Sequence, residues 1–143
     1  MFKMTKKELA VKYFAGGYNC AQSVVLAFCE EVGLTEEQAA IMSEGFGGGM
    51  GRTRSVCGAV SGMVLLAGLK KSKGKAGDME TRLEIYSDIK NMFAEFEAEF
   101  GTKICAELMV QRDASPVPGG HQKNCVECVE KATELAEKYL FGN

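Results

Sequence analysis

The chain has 143 residues, of which 46% are hydrophobic and 25% charged, and this composition is typical of one globular domain with its own core. The formal net charge of −2 gives no electrostatic basis for binding nucleic acid. The N-terminal segment lacks the pattern of a signal peptide, and the longest apolar run, 56–69, is too short to span a membrane. We therefore expect a single all-helical domain over residues 1–143 in the cytoplasm, where thiols stay reduced.

The first three predicted helices each begin with a capping box. Thr5, Asn19 and Thr35 all stand three residues before a Glu or Gln, a spacing that satisfies two free N–H groups at a helix start. A glycine shortly after each segment then ends the helix. No alternating pattern of strand length appears anywhere in the chain.

A glycine-rich segment, GFGGGMG at residues 45–51, follows the third predicted helix, and we expect no regular element there. Glycines accept left-handed backbone and aim successive N–H groups at one anion, so Gly47, Gly48, Gly49 and Gly51 are candidates for binding a cofactor. That anion is either a phosphate or the sulfurs of an iron–sulfur cluster. The segment lacks the Lys and Ser or Thr of a P-loop. A plain flexible connector is the other interpretation.

The second half of the chain contains the longest predicted helices. The fourth helix begins at Ser55 and runs to about Lys71, and the fifth runs from Asp78 to Phe100 with apolar residues at helical spacing. The fifth helix offers an amphipathic surface for a homodimer or a partner protein.

Two shorter segments complete the prediction, a sixth helix from Thr102 to about Gln111 and a seventh from Asn124 to near Leu140. The sequence thus predicts an all-α fold, a compact bundle of about six to seven helices with a glycine-rich loop before helix four.

Four of the six cysteines lie at the predicted first turn of a helix: Cys20, Cys57, Cys105 and Cys125. The unpaired N–H groups and the positive dipole end at such a position stabilise a thiolate. The thiolate is the form that attacks disulfides and binds metals. We therefore predict that these four cysteines converge on one site and that the glycine-rich segment lines it.

Cys57 is the strongest candidate for a reactive thiol. Arg52 and Arg54 lie in the segment just before it, and a nearby cation together with a helix start is expected to depress the pKa of its thiol. The other interpretation is a small buried residue in a tightly packed helix pair.

The remaining cysteines and the histidine carry weaker signals. Cys125 and Cys128 form a CxxC pair, but zinc would need a second pair, and Cys128 falls on an apolar helix face. Cys29 likewise fits a helix core. His121, the sole histidine, either completes a metal site or relays a proton, or is simply solvated in its loop.

Several segments together resemble the C_GCAxxG_C_C family of redox-active proteins. The segments that carry the resemblance are NCAQSV around Cys20, FGGGMGRTRSVCGAVSG at 46–62, FGTKICAEL around Cys105 and CVECVEKATEL from Cys125. The resemblance implies four characteristic cysteines at Cys20, Cys57, Cys105 and Cys125, with Cys29 and Cys128 at apolar positions. It also implies a small prokaryotic protein associated with oxidoreductases or transporters.

Three hypotheses about function follow. In the first, the four cysteines ligate an iron–sulfur cluster for electron transfer with a redox partner protein or oxidoreductase. In the second, they form a dithiol/disulfide couple in which Cys57 attacks and Cys20 or Cys105 resolves the mixed disulfide. In the third, the chain is a non-catalytic helical interaction or accessory protein, with free thiols or a structural zinc ion.

Overall fold

The computed structural model describes residues 3–111, 116–117 and 121–142, and the side chains at 3–110 and 125–142. This part contains seven helices of seven residues or more: α1 Lys6–Ala15, α2 Cys20–Ala27, α3 Glu36–Ser43, α4 Gly58–Lys71, α5 Met79–Phe100, α6 Cys105–Gln111 and α7 Lys123–Leu140. Two short strands, β1 Pro116–Val117 and β2 His121–Gln122, pair antiparallel. A two-residue pairing does not alter the class, and the all-α prediction is confirmed.

All three predicted capping boxes form. The side chains of Thr5, Asn19 and Thr35 each accept the N–H of the Glu or Gln three positions on, and that Glu or Gln accepts the backbone N–H of the cap in return. These reciprocal bonds satisfy N–H groups that the helix itself leaves unpaired, so they fix where α1, α2 and α3 begin.

The long helix α5 also has the predicted bounds. Asp78 accepts the N–H of Thr81 as the N-cap, and Gly101 closes the helix in a left-handed conformation with φ of 80°. Its inner face buries Met92 and Phe96, whereas Leu83 is largely exposed. The helix therefore covers the core with one stripe and leaves the other face to solvent.

The core lies where α2, α4 and α7 pack against one another, with α1 and α5 on its outside. Its fully buried members are mostly aliphatic: Val24, Val25, Leu26, Val60, Met63, Leu66, Val129, Ala132 and Leu135. Because the three central helices pack side by side, the cysteines at the starts of all three are brought close to one another.

The start of α4 differs from the prediction. The helix begins at Gly58 and not at Ser55, and Cys57 is the N-cap with extended backbone (φ −50°, ψ 132°). Val56 pairs with Ile104 in an isolated β-bridge, and the Cys57 N–H donates to the Lys103 carbonyl at 2.8 Å. This pairing holds the chain extended up to Cys57, which the helical periodicity of the sequence did not reveal.

The last two helix starts also shift by a few residues. α6 begins at Cys105, because Thr102 accepts the N–H of Ile104 at 3.0 Å in a local turn before the helix. α7 begins at Lys123, so Asn124 lies inside the helix and Cys125 is its third residue. Among the described residues, no helix has both the length and the apolar character that crossing a membrane requires.

Candidate functional site

Five cysteines line one cleft of about 560 Å³: Cys20, Cys57, Cys105, Cys125 and Cys128. The four cysteines singled out from the sequence are all among them. The sixth, Cys29, is 6% exposed and lies in the hydrophobic core, as expected. The structure therefore brings these four cysteines to one pocket, and Cys128 adds a fifth thiol to it.

Each of the four helix starts brings one cysteine to the cleft. Cys20 and Cys105 are the first residues of α2 and α6, Cys57 caps α4, and Cys125 lies in the first turn of α7. Helix N-termini present unpaired N–H groups and partial positive charge. The arrangement thus favours negative charge on sulfur within the cleft.

The glycine-rich segment forms the adjoining wall. Residues Glu44–Phe46 form a 3₁₀ turn, and the next turn, Gly47–Met50, is not a regular α-helix, because Gly48 and Gly49 have left-handed backbone with φ of 68° and 70°. Apart from the 3₁₀ turn at its start, the segment therefore contains no regular element, as expected.

Close approach is the second reason for glycine in this wall. A Cβ added at Gly47 would lie 2.3 Å from Asn19 Nδ2, and one added at Gly49 would lie 2.7 Å from Cys105 Cβ. A larger residue at either position would collide with a residue at the rim of the cleft. Gly47, Gly48 and Gly51 all line the cleft, so three of the four glycine candidates border it directly.

Three non-glycine residues near the cleft also have left-handed backbone: Met50, Arg52 and Arg54, with φ of 70°, 67° and 64°. This conformation is uncommon for residues with a side chain and concentrates at functional sites. It directs the chain so that both arginines border the cleft.

Backbone N–H groups lie beside two of the sulfurs. Those of Gly48 and Ala21 favour the thiolate of Cys20 and act to lower its pKa. Those of Ala59 and Val60, in the first turn of α4, act in the same direction on the pKa of Cys57, although the Cys57 side chain makes no capping hydrogen bond. Such donors stabilise thiolate ligands and tune the potential of a bound cluster.

The surroundings of three of the thiols nevertheless favour their protonated form. Burial, followed by the neighbouring Cys57, raises the pKa of Cys20 to about 11. Burial and the surrounding thiols raise the pKa of Cys125 to about 12. The hydrogen bond to Cys128, together with burial, raises the pKa of Cys57 well above its ordinary value. The expected depression of the Cys57 pKa is therefore wrong for the reduced protein.

The arginine expected beside Cys57 contacts a different cysteine. Arg54 Nη1 lies 3.7 Å from Cys105 Sγ and donates a hydrogen bond to it. Cys57 interacts instead with Cys128 of α7. Arg54 thus supplies positive charge at the Cys105 side of the cleft.

The sequence favours an apolar core position for Cys128, next to the weaker signal of its CxxC spacing from Cys125. The residue is 2% exposed and belongs to the hydrophobic cluster, but it also lines the cleft and affects the pKa of Cys57. The spacing of three residues puts the thiols of Cys125 and Cys128 on one helix face, and this spacing is the sequence signal for the place of Cys128 at the cleft. The side chain of His121 lies outside the described ones, so its predicted role stays a prediction.

The described side chains contain no group of three His, Cys, Asp or Glu placed to hold one metal ion. A structural zinc ion needs four ligands at about 2.0–2.3 Å. In this arrangement the thiols surround a cleft and do not close on a single point.

The family model described as "Putative redox-active protein (C_GCAxxG_C_C)" matches residues 18–139. This chain belongs to the C_GCAxxG_C_C family. The match includes all five cleft cysteines and the CGAVSG segment at 57–62, so the resemblance drawn from the sequence is confirmed.

A related protein of Archaeoglobus fulgidus, named "Uncharacterized protein", is 27% identical to this C_GCAxxG_C_C protein over 125 residues. The alignment covers 82% of this chain and 81% of the relative. No solved structure matches the chain.

Proposed function

We propose that this protein is an electron-transfer protein in which Cys20, Cys57, Cys105 and Cys125 ligate an iron–sulfur cluster. The observation that carries the proposal is that four separate helix starts each present one of these cysteines to the same cleft. Four cysteine thiolates are the usual ligand set of both [2Fe–2S] and [4Fe–4S] clusters. A bound cluster supplies one-electron transfer, which agrees with the redox-active description of the family.

The chemistry of the donor set supports a cluster over a single zinc ion. Sulfurs that bind different iron atoms of a cluster stand farther apart than sulfurs that share one ion. The described residues offer a cleft of about 560 Å³ between the thiols but no three-donor group for one ion. The zinc form therefore has less support.

The groups around the sulfurs would offset the negative charge of the thiolate ligands. The N–H groups of Gly48 and Ala21 lie beside the Cys20 sulfur, and those of Ala59 and Val60 lie beside the Cys57 sulfur. The Arg54 guanidinium donates to Cys105 at 3.7 Å. Positive helix ends and a cation lower the cost of holding several thiolates together. Because the pKa values of Cys20, Cys57 and Cys125 are raised, loading the site releases protons from these thiols and becomes more favourable as pH rises.

The partner in this proposal is a second redox protein that gives or takes the electron, and the compartment is the cytoplasm, where thiols stay reduced. Arg52 and Arg54 border the cleft, so an acidic surface on the partner would complement its mouth.

Anaerobic reconstitution with iron and sulfide tests the proposal. After desalting, we expect the wild-type protein to retain iron and acid-labile sulfide together. Single Ser substitutions of Cys20, Cys57, Cys105 and Cys125 should each lower the retained iron severalfold. Cys29→Ser is the matched control, because Cys29 is also buried but lies away from the cleft. Wild-type protein that retains no iron, or a control that loses as much as the four variants, would overturn the cluster.

A further inference from the structure

The thiols of Cys57 and Cys128 form a pair inside the cleft. Cys57 stands at the start of α4 and Cys128 in the second turn of α7, two helices that pack directly against each other, and Cys128 is the thiol that most affects Cys57. Both line the cleft, and their exposed fractions are 7% and 2%. Cys128 is not one of the four proposed cluster ligands, so its position beside Cys57 needs a separate explanation.

We propose that Cys57 and Cys128 form a two-electron dithiol site that closes to a disulfide by exchange with a low-molecular-weight disulfide. This activity goes beyond the proposed electron transfer and does not depend on a cluster. It also differs from a couple between Cys57 and Cys20 or Cys105, because the resolving thiol comes from α7.

The exchange proceeds in two balanced steps. In the first, the Cys57 thiol loses its proton and attacks one sulfur of the small disulfide, forming a mixed disulfide and releasing one thiolate, which takes up that proton. In the second, the Cys128 thiol loses its proton and attacks the Cys57 sulfur of the mixed disulfide, and the second released thiolate takes up that proton. The two protein thiols are oxidised by two electrons, and the small disulfide is reduced to two thiols.

The order of attack follows from position. Cys57 is the more exposed of the two and stands at the N-terminus of α4, whose unpaired N–H groups favour negative charge on the attacking sulfur. Cys128 is almost fully buried, so a small disulfide reaches Cys57 more readily. The two cysteines come from α4 and α7, which pack directly against each other and line the same cleft.

The dithiol and the cluster would compete for one residue. A Cys57 sulfur that is bonded to Cys128 is no longer available as a ligand. If the proposed function holds, oxidation by a small disulfide therefore releases one of the four ligands.

The test uses the reduced, metal-free full-length protein and glutathione disulfide as the probe. After anaerobic equilibration, free thiols are alkylated and the protein is digested without reduction. Trypsin gives the Cys57 peptide 55–70, and additional cleavage after Glu127 and Glu130 separates Cys125 from the Cys128 fragment 128–130. We expect a disulfide between the fragments 55–70 and 128–130, whereas Cys29 remains a free thiol and is therefore alkylated.

Variants show which of the two thiols attacks the small disulfide and which one resolves the mixed disulfide. In Cys128→Ser, Cys57 should accumulate as its mixed disulfide with glutathione, because the resolving thiol is missing. Cys29→Ser is the matched control and should form the linkage between Cys57 and Cys128 like the wild type. Helicity by circular dichroism verifies that both variants fold, and the wild-type digest requires no variant at all.

Two results would overturn the dithiol site: a wild-type digest in which Cys57 is linked to Cys20, Cys105 or Cys125, or one in which Cys57 and Cys128 are both alkylated. The iron measurement tests the cluster separately from the dithiol. Protein that forms the linkage between Cys57 and Cys128 but never binds iron contradicts the cluster and supports the dithiol. Protein that binds iron but does not form the linkage contradicts the dithiol alone.

Discussion

Gly58 contacts the sulfur of Cys20 so closely that a Cβ added to it would lie 2.4 Å from Cys20 Sγ. The same Cβ would lie 2.9 Å from the carbonyl oxygen of Phe46, the second residue of the glycine-rich segment. Real side chains do not approach sulfur or backbone to such distances. The first residue of α4 must therefore be glycine for the start of α2 and the glycine segment to meet at the cleft.

Gly58→Ala should accordingly displace Cys20 or the loop. Overpacking of this kind costs about 1–3 kcal/mol in the free energy of unfolding. The retained iron should also fall, because Cys20 moves away from the other ligands. Urea unfolding and iron analysis measure the two effects.

Gly68→Ala is the control for that substitution. Gly68 lies in the same helix, and an added Cβ would meet nothing within 4 Å. Alanine in an open helical position stabilises by about 0.5–1 kcal/mol. If both variants lost the same stability and iron, the contact between Gly58 and Cys20 would have no special role.

Asn19→Ala should weaken both a helix start and the cleft wall. Asn19 caps α2 through the N–H of Gln22, and its Nδ2 donates to the carbonyl of Glu44 at 2.9 Å. Losing the cap costs about 1 kcal/mol, and losing the second bond frees the segment that covers Cys20. We expect lower urea stability and lower retention of iron after reconstitution.

Thr35→Ala separates these two effects. Thr35 makes the same capping box on α3, but its described bonds do not reach the glycine segment. It should lose about the same stability from its cap as Asn19→Ala and still retain iron like the wild type. Equal iron loss in both variants would contradict a role for Asn19 at the cleft.

The fold could be predicted largely from local signals. Capping boxes at Thr5, Asn19 and Thr35 depend on residues three positions apart, so a single sequence contains all the information they need. The start of α4 depends instead on pairing between Val56 and Ile104, which lie 48 positions apart in the chain. No local pattern records such a long-range contact, and for that reason the predicted start of this helix at Ser55 is wrong.

The sequence predicts which cysteines lie at the site but not which groups each sulfur contacts. The positions at predicted helix starts and the family resemblance both single out the same four cysteines, and all four line the cleft. The partner of each sulfur depends on how the helices pack. Arg54 is near Cys57 in sequence but donates to Cys105, and Cys57 is paired with Cys128 on another helix.

Arg54→Gln should slow modification of Cys105 by iodoacetamide severalfold. The guanidinium donates to the Cys105 sulfur at 3.7 Å, and a charged donor stabilises negative charge on sulfur better than a neutral amide does. Mass spectrometry of the alkylated peptide follows the rate. Arg52→Gln is the control, since Arg52 has nearly the same left-handed backbone, with φ of 67° against 64°. An equal slowing in both variants would indicate a general charge effect of the loop.

The cleft thiols should make the reduced, metal-free protein less stable as pH rises above about 9. Burial raises the pKa of Cys20 to about 11 and that of Cys125 to about 12, from an ordinary value of 9.0. A group with a higher pKa in the folded state holds its proton more tightly there. Its stabilisation is therefore complete below the unfolded pKa and is lost as pH rises through the folded pKa.

At about pH 10 the loss from Cys20 is on the order of 1 kcal/mol, and that from the more exposed Cys125 is smaller because solvent screens it. Urea midpoints at about pH 8 and about pH 10, in anaerobic reducing buffer with a chelator, measure the change. Lysines and tyrosines also titrate in this range, so the double variant Cys20→Ala, Cys125→Ala provides the comparison. Its midpoint should fall less than that of the wild type between the two pH values. An equal fall in both proteins would mean that the two thiols are not the groups that lose stability.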